Sequence, residues 1–290
     1  MRNAIHVVKS TMMWYDKASV PEPKREWAAQ TRTKRNCENT MKILPIASGS
    51  TGNCMLLDLD GRRILIDLGV TASALQAALT ANGYAWKDID AVLITHTHSD
   101  HIKGMEVSLK RISAPVFMSN TSKDTLMLDR AAALPYSKRT EILPELWITA
   151  IRTSHDCAGS VGFKIETEEF CFGFLTDLGT IPESTMELLF GVDCLVIESN
   201  HDEEMLRYGR YPYYLKKRIL SERGHLSNEA CAEAIARFAE KGTRRFFLAH
   251  LSRENNRPDL ALDCAEKATA GMDVQIEVLP ITGESIIEIG

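Results

Sequence analysis

The chain has 290 residues and a mass of 32.4 kDa; 44% of its residues are hydrophobic and 25% charged, the composition of a soluble globular protein with one large domain or two small ones. No apolar run approaches the roughly 18 residues of a membrane span, and the first residues lack the apolar core of about 7–15 residues that a signal peptide needs. Seven scattered cysteines form no Cys-x-x-Cys pair, which argues against a zinc ribbon or disulfide framework and makes a reducing cytoplasm the expected location; a net charge of −5 argues only weakly against a nucleic-acid partner, because metal-binding acids enter that sum.

Residues 1–40 show no helical or strand period and carry eight Lys/Arg against four acids. They read as an N-terminal extension, disordered or not native, with Met41 as the natural start; a basic arm that touches an anion is the alternative. Residues 41–290 read as a single domain. Met41–Ile46 is a short apolar strand followed by a Gly/Ser-rich turn over 48–53. Residues 55–60 and 63–67 form a hairpin around Asp60-Gly61. A helix spans 71–81 with Thr71 as N-cap. A buried strand covers 90–95, and helices follow at 101–112 and 121–132. Further strands fall near 115–118, 145–151, 160–167, 170–176 and 192–198. Helices at 213–222, 228–240 and 258–270 alternate with strands at 244–249 and 274–280. Strands and helices mixed along the whole length mean a layered α/β or α+β domain.

Seven of the eight histidines lie outside the extension, mostly at predicted strand ends, where α/β folds build their sites. A lone histidine is more often a packed core or surface residue than a ligand, but Thr95-His-Thr-His-Ser-Asp-His101 is not a lone histidine. His96 and His98 project to one side by the strand period, and Asp100 and His101 return at a helix start. Four metal-capable side chains on so short a tether cannot all serve one tetrahedral ion, so two sites are implied. Candidates for the remaining ligands are His155, Asp177 and His250, each just beyond an apolar strand. A carboxylate such as Asp177 can bridge two ions. Five His and two Asp without Cys suit Zn, Mn or Fe.

These residues resemble the metallo-β-lactamase superfamily, whose His-x-His-x-Asp-His motif stands at 96–101. The resemblance covers about residues 41–290 and implies an αββα four-layer sandwich. It implies that His96, His98 and His155 hold one divalent ion and that Asp100, His101 and His250 hold a second. Asp177 bridges them, and Asp67 supports the histidine loop. The segments Ser48–Asn53, Glu198–Asp202, Leu206–Pro212, Gly224–Asn228 and Ala249–Asn256 resemble more narrowly the bacterial YycJ/WalJ (VicX) group, described as 5′→3′ DNA exonucleases. The C-terminal half is similar to tRNase Z and to the phosphodiesterase PhnP, in which a Gly-His segment is followed by a helix, a strand and a His. Glu198 and His225 match a Glu–His pair of tRNase Z.

The implied reaction is phosphodiester hydrolysis, most simply at DNA ends. Two ions clamp the phosphoryl group and activate a bridging water. Asp100 accepts a proton, and His225, oriented by Glu198, protonates the leaving oxygen. A strand-end ion pair is the plain alternative for Glu198 and His225. Ser48, Ser50 and Asn53, in a loop whose N–H groups can cradle phosphate, are candidate substrate contacts, although such a segment is more often just a turn. His201 is another, with simple packing equally open. Residues 203–225 interleave six Lys/Arg with four Tyr, a pattern that suits a nucleic-acid strand; Arg207, Arg210 and Tyr211 are its named contacts. A solvated amphipathic helix is the alternative. No membrane contact and no obligate protein partner are expected.

Other reaction classes fit less well. Only 22 residues separate His155 from Asp177 and 73 separate Asp177 from His250, too few for a tRNA-gripping arm or an inserted domain. A small-molecule or RNA phosphodiesterase of the same fold is the strongest rival. A lactamase or thioesterase has no use for the His225–Glu198 pair. A non-catalytic metal-dependent regulatory module is disfavoured by the complete ligand set.

Overall fold

A computed structural model describes residues 40–283 and 285–289. Residues 1–39, the bulk of the expected extension, lie outside the described residues. The first half of the described chain runs β1 (Met41–Ala47), β2 (Cys54–Leu59), β3 (Arg62–Ile66), α1 (Ala72–Ala81), β4 (Ala91–Leu93), α2 (Ser99–Ile102), α3 (Met105–Ser108), β5 (Val116–Ser119), α4 (Asn120–Leu126) and β6 (Ala131–Leu134). The second half runs β7 (Thr140–Leu143), β8 (Leu146–Arg152), β9 (Val161–Glu166), β10 (Cys171–Leu175), α5 (Glu183–Leu189), β11 (Cys194–Glu198), α6 (Glu203–Tyr208), α7 (Tyr213–Ile219), α8 (Asn228–Glu240), β12 (Arg245–Ala249), α9 (Pro258–Ala268), β13 (Gln275–Val278) and β14 (Ile287–Ile289).

The described strands form two seven-stranded mixed sheets, in the orders β14-β1-β2-β3-β4-β5-β6 and β13-β12-β11-β10-β9-β8-β7. Alternate side chains of each strand enter different cores. In β2, Leu57 faces the layer between the sheets, in the core that includes Ile148, Phe163 and Phe247 of the second sheet. Its neighbour Leu56 faces outward, in the core that includes Leu75 and Leu79 of α1. On the other outer side, Leu195, Ile197, Phe246 and Leu248 pack with Ile235 and Phe238 of α8 and Ala261 of α9. Both faces of the central strands are buried, which is why they read as unbroken apolar runs rather than alternating ones. The layers are helix, sheet, sheet, helix: the expected αββα sandwich.

Local chemistry sets the main elements. Thr71 caps α1 by accepting from the Ala74 N–H, as expected. Asp60 and Gly61 both take positive φ, 51° and 78°, in the two-residue turn of the β2–β3 hairpin, the conformation such a turn requires. The expected helix over 101–112 is instead two short helices. Its break falls at Gly104, where a Cβ would lie 1.7 Å from the Val70 carbonyl and whose N–H bonds the Leu68 carbonyl. The expected helix over 121–132 ends early: Met127 adopts φ 47° and closes α4, and the following residues become β6. Sequence periodicity passes over α5, α6, β7 and β14, all seven residues or fewer. No helix among the described residues is long and apolar enough to cross a membrane.

Candidate metal centre

Strand direction brings the site together. β3 and β4 are parallel, as are β10, β11 and β12, and β8 runs with β10 because β9 is antiparallel to both. The C-terminal ends of these strands deliver Asp67, Thr95-His96, His155, Asp177, Glu198 and His250 to one edge of the sandwich. Asp67, Asp177 and His250 each have positive φ, 61°, 58° and 59°. For a non-glycine residue this conformation costs on the order of 1–3 kcal/mol and clusters at functional sites.

Ligand-type atoms then converge within 4.8 Å in four overlapping groups: His96, His98 and His155; Asp100, His101 and His250; His96, His101 and Asp177; and Asp177, Glu198, His225 and His250. The first two groups match the two sets of residues that the sequence resemblance implies. In the first, His98 Nδ1 lies 3.1 Å from His96 Nε2 and 3.2 Å from His155 Nε2. These separations approach the edge of about 3.4 Å in a tetrahedron with zinc–nitrogen bonds near 2.1 Å. Asp177 stands between the two groups. Its Oδ2 is 3.4 Å from His101 Nε2, and its Oδ1 is 3.7 Å from His250 Nε2 and 3.8 Å from His155 Nε2.

Each ring has a partner behind it. A carboxylate or hydroxyl at the outer nitrogen sets which nitrogen faces inward. Asp67 Oδ2, 2.8 Å away, takes the His101 Nδ1 proton. The Thr95 hydroxyl donates to Asp67, and its oxygen, 3.0 Å from His96 Nδ1, accepts from that ring. Glu198 Oε1 lies 2.6 Å from His250 Nδ1 and 2.9 Å from His225 Nδ1. Glu198 Oε2 accepts the backbone N–H groups of Leu178 and Leu226. Glu198 is completely buried and holds two histidines through one oxygen. His225, partly exposed, keeps its Nε2 on the ring edge opposite Glu198.

The donor set fits a cation. Asp177 Oδ2 and His250 Nε2 are buried without a hydrogen-bond partner, and both belong to the convergent groups. Burying such groups unpaired costs several kcal/mol, and a metal ion removes that cost. The buried carboxylates draw positive charge, a proton or a metal ion, to this spot. Burial would push the His250 pKa down, yet Asp177 and Glu198 outweigh it and raise it to about 10. His101 is raised in the same way by Asp177 and Asp67 against burial. Burial pushes Glu198 up, but His225 and His250 bring it down to about 2. His96 and His155 are both shifted down chiefly by burial, which leaves them neutral and able to donate lone pairs.

Three expected substrate contacts sit elsewhere. The Ser48 hydroxyl accepts the His250 backbone N–H at 2.9 Å. Asn53 Oδ1 accepts from the Gly49 N–H, which turns Nδ2 toward His101 Nε2 at 2.9 Å and Asp100 Oδ2 at 3.3 Å. The N–H groups of Ser48, Gly49, Gly52 and Asn53 are bonded within the protein. The 48–53 loop thus braces the second group, and these four N–H groups are not available to a phosphate; Ser50 at its tip is exposed. His201 is 1% exposed with neither ring nitrogen paired, and burial lowers its pKa to about 4. In this arrangement it cannot reach a substrate.

The strip over 203–225 divides into two parts. Arg223 donates through Nε and Nη2 to the His155 carbonyl, 3.1 Å in each case, and Arg218 pairs with Asp156 at 2.6 Å. Ser154 Oγ donates to the Glu222 carbonyl, and Lys216 donates to the Arg207 carbonyl. The Arg223, Arg218 and Ser154 bonds tie the His155 loop to the segment that leads to His225. The rest faces solvent: Tyr208, Tyr213 and Tyr214 are 81%, 80% and 75% exposed, and Arg207, Arg210 and Lys217 are exposed as well. Tyr211 is only half-buried. Thr95 and Asp156 are site residues that sequence reading passes over. For Thr95 the available signal is a hydroxyl at the buried end of a strand, directly before the His motif.

Residues 62–251 match the model of the beta-lactamase superfamily domain, and the chain belongs to that superfamily. It is 33% identical over 223 residues to exodeoxyribonuclease YycJ of Bacillus anthracis, covering 74% of this chain and 84% of that protein. It is 32% identical over 259 residues to exodeoxyribonuclease WalJ of Streptococcus pneumoniae, covering 84% and 96%. Among solved structures, the metallo-beta-lactamase fold protein YhfI of Bacillus subtilis superposes with a TM-score of 0.64 at 18% identity, over 86% of this chain and 99% of that one. A diphosphatase of the PhnP family gives 0.58 at 16% over 86% and 97%, and the short form of human tRNase Z gives 0.59 at 17% over 85% and 98%. These structural likenesses establish the fold.

Proposed function

We propose that the protein is a metal-dependent phosphodiesterase that removes nucleotides from DNA ends, working in the cytoplasm as a 5′→3′ exonuclease. The observation that carries this reading is the pair of ligand groups flanking Asp177, joined to a His225–Glu198 dyad. His96, His98 and His155 would hold one divalent ion, and Asp100, His101 and His250 a second, with Asp177 between them; zinc or manganese suits this N/O set, and iron is the other candidate. Such ions supply Lewis-acid polarisation of a phosphoryl oxygen and a water acidic enough to attack near neutral pH.

The chain's own residues do the remaining work. Asp100, partly exposed beside His101, accepts a proton from the attacking water. His225 donates a proton from Nε2 to the leaving oxygen. Burial alone would lower the His225 pKa, but Glu198 and Asp177 raise it, which favours the protonated ring that a general acid requires. Glu198 keeps that ring oriented and balances its positive charge. The polymer lies on the exposed rim, with phosphates on Arg207 and Arg210, bases against the tyrosines around Tyr211, and Ser50 at the far lip. The identity to proteins named exodeoxyribonucleases supports DNA as that polymer. Residues 41–290 form the working domain and need no protein partner.

The test is turnover of end-labelled duplex DNA, single-stranded DNA and RNA, with 5′-phosphate or 5′-hydroxyl ends, in Mn²⁺ or Zn²⁺. Stepwise shortening of DNA from the 5′ end is the expected result. Cleavage of bis-p-nitrophenyl phosphate alone would move the substrate to a small phosphodiester.

A further inference from the structure

His98 differs from the other histidines of the two ligand groups. His96, His101, His155 and His250 turn Nε2 inward, whereas His98 presents Nδ1 to His96 and His155. The outer nitrogens of His96, His101 and His250 face partners within 3.0 Å, and that of His155 faces the Gly224 carbonyl at 3.3 Å. The outer Nε2 of His98 has one acceptor beside it, Asp156 Oδ1 at 3.5 Å. That oxygen is also 3.5 Å from His155 Nε2, so a single carboxylate oxygen lies beside two rings of the first triplet. Its other oxygen, Oδ2, accepts from Arg218 Nε at 2.6 Å.

We propose that Asp156 is the positioning residue of His98, and that Arg218 of α7 acts through it to hold the first ligand triplet in register. This rests on the reading of His96, His98 and His155 as metal ligands. An imidazole with no fixed partner at its outer nitrogen rotates and changes tautomer, and loses affinity for the ion it faces. Asp156 has neighbours that hold it still. Arg218 neutralises it, and the segment just before it is clamped by Ser154 to the Glu222 carbonyl and by Arg223 to the His155 carbonyl. Arg218 is thereby part of the site's support, while Arg207, Arg210 and Lys217 remain available to a polyanion.

Asp156→Ala, Arg218→Ala and Arg218→Lys test this in the full chain. Zn²⁺ affinity is measured by competition with a chromophoric chelator, and the Co²⁺-loaded protein is followed by its visible absorption bands. Asp156→Ala should weaken one of the bound ions by about 10–100-fold, the cost of losing an outer-shell partner, and should alter the Co²⁺ bands. Arg218→Ala should weaken the same ion by less, and Arg218→Lys, which retains a cation for Asp156, should restore most of the loss. Zn²⁺ affinity within twofold of the parent in Asp156→Ala, with unchanged Co²⁺ bands, would overturn the proposal and leave the ligand groups intact. A parent protein that takes up no metal would overturn both.

Discussion

The strand-end floor of the site and its helical rim solve opposite problems. On the floor, Asp67, Asp177 and Glu198 are 1%, 3% and 0% exposed. Buried carboxylates cost several kcal/mol each unless paired. Here each has histidines beside it, and Asp67 and Glu198 also accept backbone N–H groups. On the rim, Tyr208, Tyr213 and Tyr214 stand three-quarters or more exposed among cations. They carry no desolvation cost and contribute little to the fold. The contrast teaches that floor residues serve stability and chemistry together, whereas rim residues are free to serve recognition alone.

Four substitutions sharpen or break that division. Asp177→Ala should have the largest effect. It removes the carboxylate between both ligand groups, so metal affinity should fall by more than the roughly 10–100-fold of an outer-shell loss; full metal content by elemental analysis would remove Asp177 from the centre. His225→Ala should lower kcat by about 10²–10⁴-fold, the usual worth of a positioned acid, with bound metal unchanged; parental turnover would return His225 to an ordinary ion-pair role. Glu198→Ala strips the acceptor from two rings and two backbone N–H groups. It should cost about 3–5 kcal/mol, visible as a fall in melting temperature of roughly 6–20 °C. The double variant Tyr213→Ala/Tyr214→Ala should leave that temperature within about 2 °C, because surface changes rarely exceed about 0.5 kcal/mol. It should weaken single-stranded DNA binding by about 1–3 kcal/mol per stacked base. A melting loss equal to that of Glu198→Ala would make α7 a structural helix and erase the distinction.

Much of the floor was legible in the sequence because its residues sit at fixed offsets from apolar strands. His96, His98, Asp100 and His101 form one local motif. His155, Asp177 and His250 each follow a strand within three residues. What was not legible is contact between distant segments. Nothing local reveals that Glu198 serves His250 as well as His225, or that Asn53 turns into the second group instead of toward a ligand. His201 shows the same limit: its burial is set by packing from residues far away in the chain. On the rim, composition marked the Tyr/Arg stretch, but only the fold separates Arg218 and Arg223, bound to the His155 loop, from Arg207 and Arg210, which face solvent. The short elements β6, β7 and β14 escaped where the equally short β4 and β5 did not: β6 is alanine-rich, and β7 and β14 each carry only two apolar residues.

The most direct test of the two-group centre is anomalous diffraction from crystals loaded with Mn²⁺ or Zn²⁺. Two peaks roughly 3.5–4 Å apart, one among His96, His98 and His155 and one among Asp100, His101 and His250, with Asp177 between them, are the predicted result. A single peak, or ions bound away from Asp177, would contradict the account.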